Sequence, residues 1–173
     1  MKLSDFFKPG RQPETFRPVA TIRACLGLVD ASLQSSNIDL CISGAEDIEL
    51  FCYPGEFSQI MLNLISNAKD AMLERKIIPG RIDIAVTRDE INVVIAVQDN
   101  AGGIAPGAME KIFDPYFTTK EKGTGIGLYM TRAIVEQHMH GTIRAQNVGA
   151  GARFLIALPR NLAGNANAQS GVN

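Results

Sequence analysis

A glycine-rich turn over residues 123–127 constrains this chain more than any other feature. Glycine occupies alternate positions there, and a segment of helical periodicity that begins near Gly125 follows it. Because glycine has no Cβ, Gly123, Gly125 and Gly127 allow several backbone N–H groups to approach one anion. The first N–H groups of a helix carry partial positive charge, which favours the same ligand. We interpret the turn as a phosphate cradle, with a plain flexible turn as the alternative.

Two further motifs precede this turn. An apolar strand ends at Asp99, which opens the sequence Asp-Asn-Ala-Gly-Gly-Ile over residues 99–104. A carboxylate that leaves a buried strand for a glycine-containing loop either caps the turn or contacts a ligand. The sequence Phe-Asp-Pro-Tyr-Phe-Thr-Thr-Lys covers residues 113–120 and ends in a lysine close to the turn. Lys120 is therefore a candidate phosphate ligand, with a solvated surface lysine as the alternative.

The helix predicted over residues 54–72 combines an apolar face with a polar stripe. Seven apolar residues recur at three- and four-residue steps and form the predicted buried face: Phe57, Ile60, Met61, Leu64, Ile65, Ala68 and Met72. Asn63, Asn67 and Asp70 have similar spacing and lie at the edge of that face. Asparagine is unfavourable inside a helix, so two of them favour a role in ligand binding over a capping or solvent-facing role.

Together these motifs resemble the ATP-binding region of the sensor histidine kinase catalytic domain, which belongs to a superfamily that includes gyrase and Hsp90. The resemblance covers roughly residues 17–159, and the motifs follow the family's order of N box, first glycine box, phenylalanine box and second glycine box. It implies an α+β fold, a two-layer α/β sandwich known as the Bergerat fold. Such a fold has a mixed, mostly antiparallel sheet with helices on one face and a loop that forms an ATP lid.

The resemblance also implies roles for individual residues. Asn67 would bind Mg²⁺ at the ATP phosphates, and an amide oxygen is a suitable ligand for this hard cation. Asp99 would accept a hydrogen bond from the adenine amino group, and Lys120 would meet the γ-phosphate. We expect the catalytic residues to be Asn63, Asn67 and Lys120. We expect ATP to contact Asn67, Asp70, Ala71, Asp99, Ala101, Gly103, Ile104, Phe117, Thr119, Lys120, Gly123, Thr124, Gly125, Ile126, Gly127 and Leu128.

Three positions depart from common patterns of the superfamily. Ala101 replaces the usual first glycine of its box, so we expect Gly102 and Gly103 to supply the positive φ that alanine resists. Ala152 stands where many members have a threonine near the adenine, so that contact is expected to be lost or moved. Asn63 stands where the hydrolases and the anti-sigma-type serine kinases have a glutamate as general base. An amide cannot accept a proton at neutral pH. We therefore expect the chain to bind ATP but to hydrolyse it only slowly.

Composition narrows the remaining functional classes. With 173 residues, of which 46% are hydrophobic and 20% charged, the chain suits one globular domain. A net charge of −1 does not indicate a nucleic-acid partner, and no apolar run is long enough to span a membrane. The three cysteines are scattered and odd in number, which predicts reduced, mostly buried thiols and a cytoplasmic location.

The domain organisation and the functional hypotheses follow from these patterns. Proline spacing predicts a linker over residues 1–17, and composition predicts a disordered tail over 161–173. The resemblance implies an ATP-binding domain over 18–160 and, before the linker, a dimerisation and phosphoacceptor region that is missing from this chain. The main hypothesis, implied by the resemblance, is the catalytic domain of a two-component sensor histidine kinase. It would bind Mg-ATP and transfer the γ-phosphate to a histidine on a helical hairpin outside this chain, and a response regulator would act downstream.

On this hypothesis the isolated domain is monomeric and inactive without its phosphoacceptor. One alternative is a stand-alone ATPase or an anti-sigma-like serine kinase, against which Asn63 argues. The other alternative is a non-catalytic nucleotide-binding module. The presence of Asn67, Asp99, Lys120 and the glycines of the 123–127 turn argues against that interpretation.

Overall fold

The structure is a computed structural model that describes residues 12–120 and 123–161. Within these residues a five-stranded sheet, a two-stranded ribbon and four α-helices form one folded unit. In chain order the elements are β1 (Glu14–Phe16), α1 (Pro18–Ser35), β2 (Ile38–Gly44), β3 (Leu50–Cys52), α2 (Pro54–Arg75), β4 (Gly80–Arg88), β5 (Asn92–Asp99), α3 (Pro106–Met109), α4 (Gly127–Ala133), a π-helical turn (Ile134–His138), β6 (Thr142–Val148) and β7 (Gly151–Pro159). Each helix among the described residues is too short or too polar to span a lipid bilayer.

The main sheet is mixed and mostly antiparallel, as the resemblance implies. Its strand order is β2-β4-β5-β7-β6, with β2 parallel to β4 and every other neighbouring pair antiparallel. The turn between β4 and β5 is closed by Asp89, whose Oδ1 accepts hydrogen bonds from the N–H groups of Ile91 and Asn92. Since β5 lies in the centre of the sheet, its C-terminal residue Asp99 is held among neighbouring strands.

The core lies between one face of the sheet and helices α1 and α2. In β4, Ile82, Ile84 and Val86 are buried, whereas the intervening Asp83 is half-buried and Thr87 is exposed. This alternation shows that one face of the sheet is covered by helices, which confirms the predicted two-layer α+β arrangement. All seven residues of the predicted apolar face of α2 are buried. That face orients the helix and leaves its polar stripe at the boundary of the core.

The folded unit begins earlier than predicted. Most of the expected linker, residues 1–11, lies outside the described residues, but β1 pairs with β3 in an antiparallel ribbon. Phe16 is half-buried and its ring lies 5.3 Å from that of Phe57, centroid to centroid. The assignment of residues 14–17 to a linker is therefore corrected, because Phe16 gains apolar burial against α2. Of the expected tail, only Asn161 is described, in a bridge with Phe51.

The helix after the glycine turn begins later than predicted. We expected it to start near Gly125, but Gly125 has φ of +66° and α4 begins at Gly127. A residue with this φ cannot continue a right-handed helix, so the chain turns first and enters the helix two residues later.

Candidate functional site

A cavity of about 780 Å³ lies between the polar edge of α2, the C-terminal end of β5, residues 112–120 and the glycine turn. Of the sixteen residues predicted to contact ATP, fifteen line it. Those fifteen are Asn67, Asp70, Ala71, Asp99, Ala101, Gly103, Ile104, Phe117, Thr119, Lys120, Gly123, Thr124, Gly125, Gly127 and Leu128. The exception is Ile126, which is half-buried and whose carbonyl accepts a hydrogen bond from the N–H of Met130. Motifs that lie far apart in the sequence, from Asn67 to Leu128, thus meet at one concave site.

Two oxygens on successive turns of α2 converge on a cation at the cavity wall. The Nζ of Lys120 lies 3.1 Å from Oδ1 of Asn67 and 2.8 Å from Oδ2 of Asp70. The side chain of Lys120 is 30% exposed, so this ion pair is partly shielded from solvent. The arrangement shows that an amide oxygen and a carboxylate oxygen can jointly hold a positive charge at this wall.

Asn63 also lines the cavity but has different partners. Its Nδ2 donates to Oγ1 of the buried Thr131 at 2.8 Å. A Cβ added at Gly127 would lie 2.5 Å from Oδ1 of Asn63, so this glycine permits close approach of α4 to α2. The Asn63 amide therefore links the two helices on either side of the site.

Asp99 both caps the turn after β5 and lines the cavity. Its Oδ1 accepts hydrogen bonds from the N–H groups of Ala101 at 2.9 Å and Ala152 at 3.1 Å. These contacts fix the carboxylate at the end of the central strand. Ala152 thus contributes its backbone N–H here, where many members of the superfamily have a threonine side chain.

The glycine turn packs tightly against the segment that precedes it. The N–H of Tyr116 donates to the carbonyl of Gly125 at 3.0 Å. A Cβ added at Gly125 would lie 2.4 Å from the carbonyl carbon of Tyr116 and 2.7 Å from the nitrogen of Phe117. Gly125 is therefore required both by its positive φ and by this close approach.

Two residues that hold the loop after β5 are absent from the sequence-based site. Arg75, in the last turn of α2, donates from Nη1 to the carbonyls of Ala101 and Gly103 at 2.6 and 2.7 Å. Asn147, in β6, accepts from the N–H of Ile104 and donates to its carbonyl, both at 2.8 Å. A basic residue at a helix C-terminus is expected for dipole reasons alone, so Arg75 gives no distinctive sequence signal. Asn147 gives a weak one, because asparagine is disfavoured in strands.

Comparison with known proteins identifies the family. Residues 53–162 match the family model described as histidine kinase-, DNA gyrase B- and HSP90-like ATPase. The two-component sensor PprA of Pseudomonas aeruginosa is 35% identical over 153 residues, which cover 83% of this chain and 16% of PprA. The sensor histidine kinase ZraS of Escherichia coli O157:H7 is 38% identical over 143 residues, which cover 82% of this chain and 30% of ZraS. The chain thus spans less than a third of the length of these curated relatives.

Solved structures show the same relationship at the level of the fold. The catalytic domain of histidine kinase ThkA, in a nucleotide-free form, superposes with a TM-score of 0.79 at 29% identity, covering 88% of this chain and 98% of that domain. ThkA in complex with the response regulator protein TrrA gives a TM-score of 0.75 at 28% identity, covering 87% of this chain and 42% of that one. The family model and the curated relatives show that the chain belongs to the histidine kinase-, DNA gyrase B- and HSP90-like ATPase family. The chain has the fold of a histidine kinase catalytic domain.

Proposed function

We propose that this chain is the ATP-binding catalytic domain of a two-component sensor histidine kinase. It binds Mg-ATP and transfers the γ-phosphate to a histidine on a separate dimerisation domain. The observation that carries the proposal is the convergence of Asn67, Lys120, Asp99 and the glycine turn on one cavity. The volume of about 780 Å³ is in the range of cavities that hold small-molecule ligands.

The donor atoms on α2 fit a magnesium ion. Mg²⁺ prefers oxygen ligands and is commonly held by one or two protein groups together with substrate phosphates. Oδ1 of Asn67 is such a group, and its contact with the Lys120 ammonium supports its capacity to hold a cation. We assign Asn67 as the protein ligand, with Asp70 beside it. The bound ion would neutralise phosphate charge during transfer.

This chain's own residues would perform the positioning. Backbone N–H groups of the glycine turn and the Lys120 ammonium would bind the phosphates, and Asp99 would accept a hydrogen bond from the adenine amino group. Phosphoryl transfer to an imidazole depends mainly on alignment and charge neutralisation, so it requires no strong base in this domain. The Asn63 amide, which donates to Thr131, supports slow hydrolysis of bound ATP.

The partners of the proposed reaction lie outside the chain. The phosphoacceptor is a histidine on a helical hairpin, and a response regulator receives the phosphoryl group from it. The solved complex of ThkA with TrrA supports a response regulator as the downstream partner. We further propose that the domain acts in the cytoplasm and is monomeric in isolation.

The proposal is tested with γ-labelled Mg-ATP and this chain, in the presence and absence of a helical hairpin that carries the phosphoacceptor histidine of a sensor histidine kinase. We expect acid-labile, base-stable label on the hairpin only when both components are present. A hairpin in which the histidine is replaced by glutamine is the matched control. Release of labelled phosphate without protein labelling would instead support a stand-alone ATPase. ATP that is bound but stays intact with every hairpin tested would support a non-catalytic nucleotide-binding module.

A further inference from the structure

The loop from Ala101 to Ile104, which we call the β5 loop, is held in an unusual conformation at the cavity wall. Gly102 and Gly103 have φ values of +90° and +74°, a region that favours glycine. Ala101, Gly103 and Ile104 all line the cavity. Without contacts from neighbouring groups, two consecutive glycines would allow this loop many conformations. The conformation seen at the cavity wall therefore depends on the groups that contact the loop.

Arg75 holds the loop from the side of α2. Its Nη1 donates to the carbonyls of Ala101 and Gly103, which lie on either side of Gly102. A Cβ added at Gly102 would lie 2.8 Å from this nitrogen, so the glycine leaves room for the guanidinium. One cationic group thereby fixes the direction of two carbonyls, and hydrogen bonds from a charged donor are stronger than neutral ones.

Asn147 holds the loop from the opposite side, from strand β6. Its amide accepts from the N–H and donates to the C=O of Ile104, so both polar backbone groups of that residue are satisfied by one side chain. A Cβ added at Gly103 would lie 2.8 Å from Oδ1 of Asn147. Each of the two glycines thus admits one of the two holding side chains. A third contact, from the N–H of Gly102 to the carbonyl of Ala150 at 2.7 Å, ties the loop to the β6–β7 turn.

We propose that Arg75 and Asn147 are positioning residues for recognition of the nucleotide base. They hold the β5 loop as a preformed wall beside Asp99. The base therefore binds to a rigid surface, and binding does not carry the entropic cost of ordering the loop. The inference rests on the proposed function, because it takes an adenine nucleotide as the ligand. Arg75 also lines the cavity, and the competing role for it is direct contact with the phosphates.

The test compares ligands that share the base but differ in phosphate. Affinities of Arg75→Ala and Asn147→Ala for ATP, in the presence of Mg²⁺, are measured by calorimetry, and those for adenosine by NMR titration. We expect each variant to lose about tenfold in affinity for both ligands, as the loss of one or two hydrogen bonds would give. Because Arg75 lines the cavity, its charge also attracts ATP at a distance, so the affinity for uncharged adenosine is the readout that identifies a positioning role.

Two matched controls and two further variants sharpen the test. Arg23→Ala removes an exposed arginine that is paired with Glu46 on another surface, and Gln146→Ala removes the exposed neighbour of Asn147; both should bind as the wild type does. Asn147→Asp keeps the acceptor for the Ile104 N–H but places a carboxylate against its carbonyl, so it should lose affinity as Asn147→Ala does. Arg75→Lys keeps the charge and should restore part of the adenosine affinity. Thermal melting followed by circular dichroism establishes that each variant is folded.

The outcomes separate this inference from the function on which it rests. A folded wild-type domain that binds neither ATP nor adenosine overturns the proposed function. Wild-type binding that persists at full strength in both alanine variants overturns the positioning role alone. Loss of ATP affinity in Arg75→Ala with unchanged adenosine affinity assigns Arg75 to the phosphates and likewise overturns it. If Arg75→Ala fails to fold, Asn147→Ala and Arg75→Lys carry the test.

Discussion

Asn63 and Asn67 lie one turn apart on α2, yet their side chains have different partners. The amide of Asn63 donates to the buried Thr131 on α4, whereas Oδ1 of Asn67 accepts from Lys120. The difference arises because a step of four residues advances 400° round the helix, so the second amide is turned by about 40° from the first. One asparagine thus joins two helices, and the other is available to a ligand.

This division leads to a prediction for Asn67. Asn67→Ala removes the proposed oxygen ligand, so the part of ATP affinity that depends on Mg²⁺ should disappear, with a loss of about tenfold or more. Calorimetry with Mg²⁺ and with EDTA measures that part directly. Gln59→Ala, an exposed position on the same helix, should bind ATP as the wild type does. Equal affinities of Asn67→Ala and wild type in Mg²⁺ would contradict the metal assignment.

The three cysteines differ sharply in environment. Cys25 and Cys52 are buried and Cys41 is exposed, and none is in a disulfide. Burial raises the pKa of the Cys52 thiol to about 11. The thiolate is the nucleophile that reacts with alkylating reagents. Both burial and the raised pKa therefore protect Cys52 near neutral pH.

We therefore expect selective alkylation of the folded domain. At pH 8, iodoacetamide should modify Cys41 readily and leave Cys52 largely unmodified, as measured by peptide mass spectrometry. Raising the pH to about 9 should leave Cys52 almost entirely protonated and unmodified, because its pKa lies well above that value. In denaturing urea all three cysteines should react. Modification of Cys52 at the rate of Cys41 in the native protein would show that Cys52 is accessible.

At the scale of elements, the glycine turn and the segment before it behave as one packed unit. Gly125 accepts a hydrogen bond from Tyr116 and leaves no room for a Cβ against the backbone of residues 116 and 117. Lys120, at the end of the same segment, reaches across to α2. Backbone contacts therefore join the glycine turn to the segment before it, and the Lys120 side chain connects this unit to α2.

Gly125→Ala should disrupt this unit. The positive φ costs about 1–2 kcal/mol for a residue with a Cβ, and the clash with Tyr116 requires the backbone to move as well. We expect a lower free energy of unfolding in urea and a marked loss of ATP affinity. Gly27→Ala is the matched control: Gly27 is exposed in α1 with nothing near the added Cβ, so alanine should stabilise the protein by about 0.5–1 kcal/mol. Wild-type ATP affinity in Gly125→Ala would contradict the packed turn.

At the scale of the whole molecule, the folded unit includes residues before the first helix. The β1–β3 ribbon lies beside the start of α2, and Phe16 packs on Phe57 across it. Phe57 is fully buried in the core that also positions the polar edge of α2. The ribbon therefore packs against the same hydrophobic core that supports α2 and the polar residues of the site.

Truncation of Phe16 should consequently destabilise the domain. We expect Phe16→Ala to lower the free energy of unfolding by about 1–3 kcal/mol, less than for a fully buried phenylalanine because Phe16 is only half-buried. Urea unfolding measures this change, with the exposed neighbour Thr15→Ala as control. If residues 14–17 were only a linker, the two variants would have equal stability.

Features that depend on local periodicity were determined by the sequence alone. The buried face of α2 follows from apolar residues at three- and four-residue steps, and Asn67 and Asp70 lie at its edge for the same reason. The alternation in β4 and β5 likewise indicates two strands joined by a short turn at Asp89. The roles proposed for these residues in ATP binding come from the family resemblance, because periodicity alone does not indicate a ligand.

Features that depend on contacts between distant residues were decided only by the tertiary structure. Arg75 and Asn147 contact backbone groups that lie 26 to 43 positions away in the sequence, and neither residue type reveals such a partner. The pairing of β1 with β3 and the late start of α4 at Gly127 depend in the same way on what packs nearby. A side chain that binds backbone carbonyl or N–H groups leaves no pattern in the sequence, since every residue supplies such groups; only the folded chain determines which of them it meets.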